Sequence, residues 1–238
     1  AVLGLGDIGP EAGLPVMEGK CVLFKEFGGV NAVPICLDTK DPAEVIRAVE
    51  LIAPSFGGVN LEDIRSPECF EIERVLEEKL DIPVFHDDQH GTGIVVTAAL
   101  LNALKVVGKD IASVKIVQNG PGAAGTAIIK MLMAAGATDI TAVDEHGILY
   151  EGRPAGLKDH KAWLATVTNP RHLTGGLAEA VKGADVFIGT SIAGALTPEM
   201  AATMAPGAVV FAMANPNPEI MPDVAKAAGV AVVGTGRS

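Results

Sequence analysis

The stretch Phe85-His86-Asp87-Asp88-Gln89-His90-Gly91-Thr92 decides how the chain is read. A short apolar run, Ile82-Pro83-Val84-Phe85, precedes it and has the length of a buried strand. A long apolar segment over residues 91–107 follows and has the length of a helix. Two carboxylates and two imidazoles thus stand where a strand hands over to a helix. In α/β proteins ligands bind outside the carboxyl ends of the strands. The stretch is expected to join two halves of different chemistry.

Upstream, strand and helix patterns alternate. Residues 32–37 predict a strand. Asp41-Pro42-Ala43-Glu44 predicts a helix start, with Asp41 as cap, Pro42 at the first helical position and Glu44 completing a capping box. Val45, Val49 and Ile52 recur at helical spacing, and Pro54 ends the run. Residues 57–61 predict the next strand, with Glu62 and Asp63 at its end. Ser66-Pro67 opens another helix with Phe70, Ile72, Val75 and Leu76 at apolar positions. This alternation predicts parallel strands with right-handed crossovers. Both acidic pairs then fall at the carboxyl ends of successive strands. Further upstream, residues 1–5 are apolar and Gly6-Asp7-Ile8-Gly9-Pro10 reads as a turn. Met17-Glu18-Gly19-Lys20 reads as the end of a segment.

Downstream, the helix over 91–107 is apolar on nearly all sides and is expected to be buried. Residues 113–118 predict a strand, and Asn119-Gly120-Pro121-Gly122-Ala123-Ala124-Gly125 opens a helix running to Ala135. Strands follow at 139–143, 184–189, 208–213 and 230–233. Short helices open at Thr197-Pro198-Glu199 and at Pro222, and residues 147–172 are the least regular.

Gly120-x-Gly122-x-x-Gly125 follows a strand and opens a helix, and Asp144 stands at the end of the next strand. Asp144 lies 24 residues after Gly120, near the roughly 20 expected of a dinucleotide fingerprint. Glycines let the backbone approach a pyrophosphate, and a helix N-terminus favours its charge. Asp144 suits ribose hydroxyls and leans the reading toward NAD over NADP. Glu62, Asp63 and Asp88 are hard oxygen donors of the kind Mg²⁺ or Mn²⁺ takes. His86 and His90 raise a zinc alternative, but no other His or Cys stands at a zinc spacing. A lysine enclosed near a cation can act as a base, and Lys20 and Lys25 are equal candidates by position alone.

Composition narrows the class further. The chain has 238 residues, enough for one large domain or two modest ones, and is 49% hydrophobic but only 4% aromatic. The formal net charge is −11, and no Lys/Arg cluster supplies a nucleic-acid footprint. No uninterrupted apolar run reaches the ~18 residues of a membrane span. The three cysteines, Cys21, Cys36 and Cys69, are odd in number and none pair at C-x-x-C spacing. They read as free thiols in a reducing cytoplasm.

Taken together the motifs resemble malic enzymes, particularly the compact bacterial type. The matching residues are Gly4-Leu5-Gly6-Asp7-Ile8-Gly9-Pro10, Leu14-Pro15-Val16-Met17-Glu18-Gly19-Lys20 and Asn60-Leu61-Glu62-Asp63. They continue with residues 85–92, the loop 120–125 and Ala214-Asn215-Pro216. The resemblance implies oxidative decarboxylation of (S)-malate to pyruvate and CO₂ with NAD or NADP and a divalent metal. A malolactic enzyme and a non-catalytic dinucleotide-binding module are the alternatives.

The resemblance also implies roles. Lys20 matches the general base, and Glu62, Asp63 and Asp88 match the metal ligands. Asp87 would be a second carboxylate behind them or a proton-relay partner. Thr92, Asn119, Gly120, Gly122, Ala123, Ala124 and Gly125 look like cofactor contacts. Asn215 is similar to the asparagine near substrate and nicotinamide. Two α/β domains are implied: residues 1–91 for metal and malate, and residues 92–238 as a Rossmann-type doubly wound dinucleotide domain. A homodimer or larger homo-oligomer is implied as well. The family's general-acid tyrosine and one substrate arginine are expected before Ala1, and an asparagine-rich segment after Ser238. Tyr150 takes no catalytic role in this reading. The native protein is expected to be longer at both ends.

Overall fold

The computed structural model describes residues 6–236; the apolar run 1–5 lies outside the described residues. The chain divides into two compact units, Ala1–His86 and Asp87–Ser238.

The first unit begins with helix α1, Pro10–Gly28. Proline opens it, and Gly29 closes it in the left-handed conformation at φ 66°. The Gly29 and Val30 amides donate back to the Lys25 and Phe24 carbonyls. Lys20 is therefore inside a helix and not at a segment end, because nothing between Met17 and Lys20 stops the helical hydrogen bonding. Helix α2, Pro42–Ile52, starts at Asp41, whose carboxylate accepts from the Ala43 amide at 2.8 Å. Glu44 does not close the expected box. Its carboxylate takes the Thr39 hydroxyl, and the Asp41 amide donates to that same hydroxyl oxygen.

Strand β1, Val59–Leu61, helix α3, Glu68–Lys79, and strand β2, Val84–His86, complete the unit. The two strands are parallel, with Leu61 opposite His86. Ile46, Val49, Leu61, Ile72, Leu76 and Val84 form the core. The strand expected at 32–37 is absent: those residues take no regular structure and pair with no strand among the described residues. Pro34 lacks the amide a ladder needs, and Val33 and Ile35 face solvent.

The second unit opens directly on helix α4, Asp87–Val107. The helix starts four residues earlier than expected, so both acids sit in its first turn. There they face the positive end of the helix dipole. A side chain at Gly91 would overlap the Asp87 carboxylate one turn back, so glycine there leaves room for Asp87. The helix is buried on one face only. Val96, Leu100, Ala103 and Leu104 pack inward, while Val95 is 62% and Val106 78% exposed. Among the described residues α4 is the one helix with the length and composition of a membrane span. Its packing against α5 gives that composition a use inside the fold.

Strand β3, Lys115–Asn119, leads into helix α5, Ala123–Ala134, then strands β4, Asp139–Asp144, and β5, Gly147–Ile148. Helix α6, His160–Val167, lies in the region expected to be least regular, and helix α7, Leu177–Val181, follows. Strand β6, Val186–Gly189, helix α8, Pro198–Ala202, strand β7, Val209–Ala212, helix α9, Pro222–Ala227, and strand β8, Val232–Thr235, finish the unit. Thr197 caps α8 by accepting from the Met200 amide at 3.2 Å.

The sheet order is β5-β4-β3-β6-β7-β8. Only β5 runs antiparallel. One sheet face carries α4 and α5 over Ile116, Ile140 and Ile188. The other carries Val181, Ala201 and Ala225 over Val117, Phe187 and Val210. Both faces are covered, so β6 and β7 are buried and apolar along their whole length. Chain order reverses between β3 and β6, which makes the gap beyond their carboxyl ends the topological switch point.

Candidate active site

The glycine loop stands at that switch point. Gly120 has φ 88°, a conformation that favours glycine, and a Cβ there would lie 2.5 Å from the Thr190 carbonyl oxygen. A Cβ at Gly125 would overlap the Gly120 carbonyl. These two glycines are required by the chain's own packing. Gly122 is different. Its φ is −79°, and an added Cβ meets no protein atom within 4 Å. It caps α5 with no side-chain acceptor, so the helix opens onto free space through bare backbone. That geometry fits a pyrophosphate, whose charge the helix terminus favours.

Side chains from neighbouring loops brace this turn. Thr190 donates its hydroxyl to the Gly120 carbonyl at 2.6 Å, and Gln118 donates to the Thr190 hydroxyl at 2.9 Å. Asn119 donates to Ser191 Oγ at 2.8 Å. His160 Nε2 lies 2.8 Å from the Pro121 carbonyl. A carbonyl only accepts, so Nε2 carries the proton. Burial is the main cause holding this imidazole below its ordinary pKa, against the raising effect of that bond. It is therefore neutral near pH 7.

Asp144 ends β4 with a side chain only 1% exposed. Arg153 grips it with two parallel bonds, Nη1 to Oδ1 and Nη2 to Oδ2, both 2.8 Å. Lys161 adds a bond to Oδ2 at 2.9 Å, and the His146 amide one to Oδ1 at 2.8 Å. Burial pushes this carboxyl up, but the Arg153, Lys161 and His146 donors outweigh it and lower the pKa to about 2. Asp144 is thus the anchor of two cations as well as the acid expected at the ribose end. Arg153 also donates to the Gly147 and Ala155 carbonyls.

In the first unit, Lys20 Nζ lies 3.1 Å from Glu62 Oε2, with their side chains 25% and 9% exposed. Asn60 holds the same Glu62 oxygen at 3.0 Å. The structure therefore brings together the base candidate and one of the metal-ligand candidates. Lys25, the equal candidate by position, instead donates to Asn31 at 2.8 Å. Asp63 follows with φ 57°. His86 is fully buried and its amide donates to Glu73 at 2.9 Å. Asp87, Asp88 and Thr92 belong to α4 in the second unit. Among the described residues of either unit, no three His, Cys, Asp or Glu side chains group as a preformed metal cluster.

Asn215 follows β7 in the turn Asn215-Pro216-Asn217-Pro218, before the fully buried Glu219. Sequence reasoning missed Arg153, Lys161, His160, Ser191 and Glu219. The one signal for Arg153 and Lys161 was two cations just after an acid at a strand end. Nothing local marked the others. The three cysteines are free thiols, as expected.

A test of the loop follows from the contrast between its glycines. Gly122→Ala should weaken dinucleotide binding by about tenfold or more while leaving the melting temperature unchanged, because only a ligand competes for that space. Gly125→Ala should lower the melting temperature, because backbone must move. Isothermal titration and thermal melts of the two variants check the pair.

Known proteins carry a similar sequence and fold. Residues 1–43 match the malic enzyme N-terminal domain, and residues 89–236 match the malic enzyme NAD-binding domain. The chain is 59% identical to a bifunctional malic/malolactic enzyme of Bacillus subtilis, over the whole chain and 58% of that protein. It is 56% identical to an NAD-dependent malic enzyme of Geobacillus stearothermophilus, over the whole chain and 49% of that protein. The crystal structure of an NAD-dependent malic enzyme from Thermotoga maritima superposes with TM-score 0.98 at 51% identity, over the whole chain and 63% of that structure. The chain spans about half the length of the curated relatives it matches. The NAD-binding match alone covers more than half of the chain, so the chain belongs to the malic enzyme family.

Proposed function

We propose that the protein oxidises and decarboxylates (S)-malate to pyruvate and CO₂, using NAD or NADP and Mg²⁺ or Mn²⁺. The observation that carries this reading is the glycine loop at the switch point, with Gly122 opening α5 onto space that no protein atom fills. The Lys20–Glu62 contact in the first unit supports it.

When bound, the dinucleotide supplies the hydride acceptor and the divalent cation supplies Lewis acidity at the reacting oxygens. Lys20 takes the proton of the malate hydroxyl. Glu62, Asp63 and Asp88 would offer hard oxygen donors to the cation, and Asp87 would serve as an orienting or proton-relay carboxylate. Thr92, Asn119 and the backbone of Gly120, Gly122, Ala123, Ala124 and Gly125 hold the cofactor. Asp144 marks the adenosine-ribose end, and Asn215 orients nicotinamide and substrate. In the division read at 91/92, Lys20, Glu62, Asp63, Asp87 and Asp88 fall before the boundary and the glycine loop and Asn215 after it. We further place the protein in the cytoplasm as a homodimer or larger homo-oligomer.

A malolactic reading stands second, favoured by the name of the Bacillus subtilis relative. Products separate the two: pyruvate with net reduced nicotinamide for the first, lactate without it for the second. Metal removal tests the first reading directly. Strong chelation of the full-length enzyme should abolish malate-dependent nicotinamide reduction, and Mn²⁺ should restore it. Undiminished turnover in the chelator would sink the metal assignment.

A further inference from the structure

Glu219 is fully buried, yet none of the roles above uses it. A buried carboxylate is costly unless hydrogen-bonded. Its partners are donors from the turns that follow β6 and β7. Oε1 accepts from the Ser191 amide at 2.8 Å and the Ser191 hydroxyl at 2.9 Å. Oε2 accepts from the Ala214 amide at 3.0 Å. The Ser191 hydroxyl gives its proton to Glu219, so its lone pair is left to accept from Asn119 at 2.8 Å. One carboxylate thus ties three strand ends together. Asn119 ends β3 beside Gly120, Ser191 follows β6, and Ala214 follows β7 just before Asn215.

The space for this group is built in. A side chain at Gly189, the last residue of β6, would overlap the Glu219 carboxylate. An ionised carboxylate only accepts, which suits a place ringed by two amides and a hydroxyl. Glutamine would put an NH₂ group against one of those donors. Its reach is also specific, since aspartate is one methylene shorter.

We propose that Glu219 is a positioning residue that sets the Asn215 turn against the glycine loop, and so fixes the width of the cofactor cleft. The proposal rests on the dinucleotide reading of that loop. In the full-length enzyme, Glu219→Gln should raise the dinucleotide Kd and KM by about tenfold or more. Ser191→Ala should do the same through the Asn119 link, and Ser191→Thr, which keeps the hydroxyl, should restore the wild-type value. Lys109→Met serves as control. It breaks the Lys109–Asp185 ion pair (2.6 Å) in the same unit, away from the loop. It should lower the melting temperature and leave Kd unchanged. A folded Glu219→Gln enzyme with wild-type Kd and KM would overturn the proposal. So would a Lys109→Met enzyme that loses binding equally, since destabilisation alone would then explain the effect. If Glu219→Gln does not fold, the Ser191 pair decides, and a wild-type Kd in Ser191→Ala overturns it. A wild-type enzyme that binds neither NAD nor NADP would instead remove the dinucleotide reading, and this inference with it.

Discussion

Lys20→Ala should cut malate-dependent turnover of the full-length enzyme by about 10²–10⁴-fold, the usual contribution of a positioned general base. The side chain extends from the middle of α1, a 19-residue helix, and meets Glu62 just beyond β1. A regular helix and a strand end hold that pair better than loops would. Alanine removes the amine and leaves the α1 backbone able to stay helical, since alanine is the best helix former. Dinucleotide affinity should therefore remain at the wild-type value, because the glycine loop belongs to the other unit. Lys25→Ala, in the same helix, should leave turnover near normal. Steady-state rates and nucleotide titration on the three proteins check this. Equal losses in Lys20→Ala and Lys25→Ala would remove the assignment.

Arg153→Met should destabilise the second unit by about 3–5 kcal/mol. Arg153 and Asp144 are 4% and 1% exposed and meet through two bonds. Removing the guanidinium leaves a buried carboxylate with Lys161 as its one remaining cation. It also leaves the Gly147 and Ala155 carbonyls without their Arg153 donor. The loss should appear as a drop of roughly 10 °C in melting temperature, at about 2–4 °C per kcal/mol for this size.

The pH dependence carries the same signature. Asp144 has a folded pKa of about 2 against an ordinary 3.8. Its stabilisation is therefore full above pH 4 and is lost as pH falls from about 4 through 2. The shift corresponds to roughly 2 kcal/mol. In Arg153→Met the carboxyl loses its main donor and its pKa rises. Acid unfolding should then begin at higher pH than in the wild type. Acid titrations followed by circular dichroism measure both midpoints.

Features that a few neighbouring residues dictate were legible in the sequence. Gly120, through its φ of 88°, and Gly125, packed on the Gly120 carbonyl, answer to demands within one turn, and Asp144 to its place at a strand end, so the Rossmann-type sheet was readable from the sequence. Capping at Asp41 and Thr197 was legible for the same reason. Errors arose where a short pattern had two outcomes. Residues 32–37 carry strand-like composition, but Pro34 lacks a ladder donor and among the described residues no strand pairs with them. Helix α4 is apolar on nearly all sides, yet only one face is packed, because composition does not count how many neighbours a helix will have. Glu219 was invisible for a stronger reason. Its partners at 191 and 214 come from other strand ends, and only the sheet order brings them to it. Arg153 reaches Asp144 from an irregular segment and Lys161 from the first turn of α6, so no periodicity linked them to that acid.

The most direct test is the initial rate of malate-dependent nicotinamide reduction by the full-length enzyme with Mn²⁺, run with NAD and NADP in parallel and with pyruvate assayed in the same samples. Reduced nicotinamide and pyruvate appearing in equal amounts with at least one of the two cofactors is the predicted result. A protein that binds dinucleotide tightly but forms neither product with either cofactor would contradict the account.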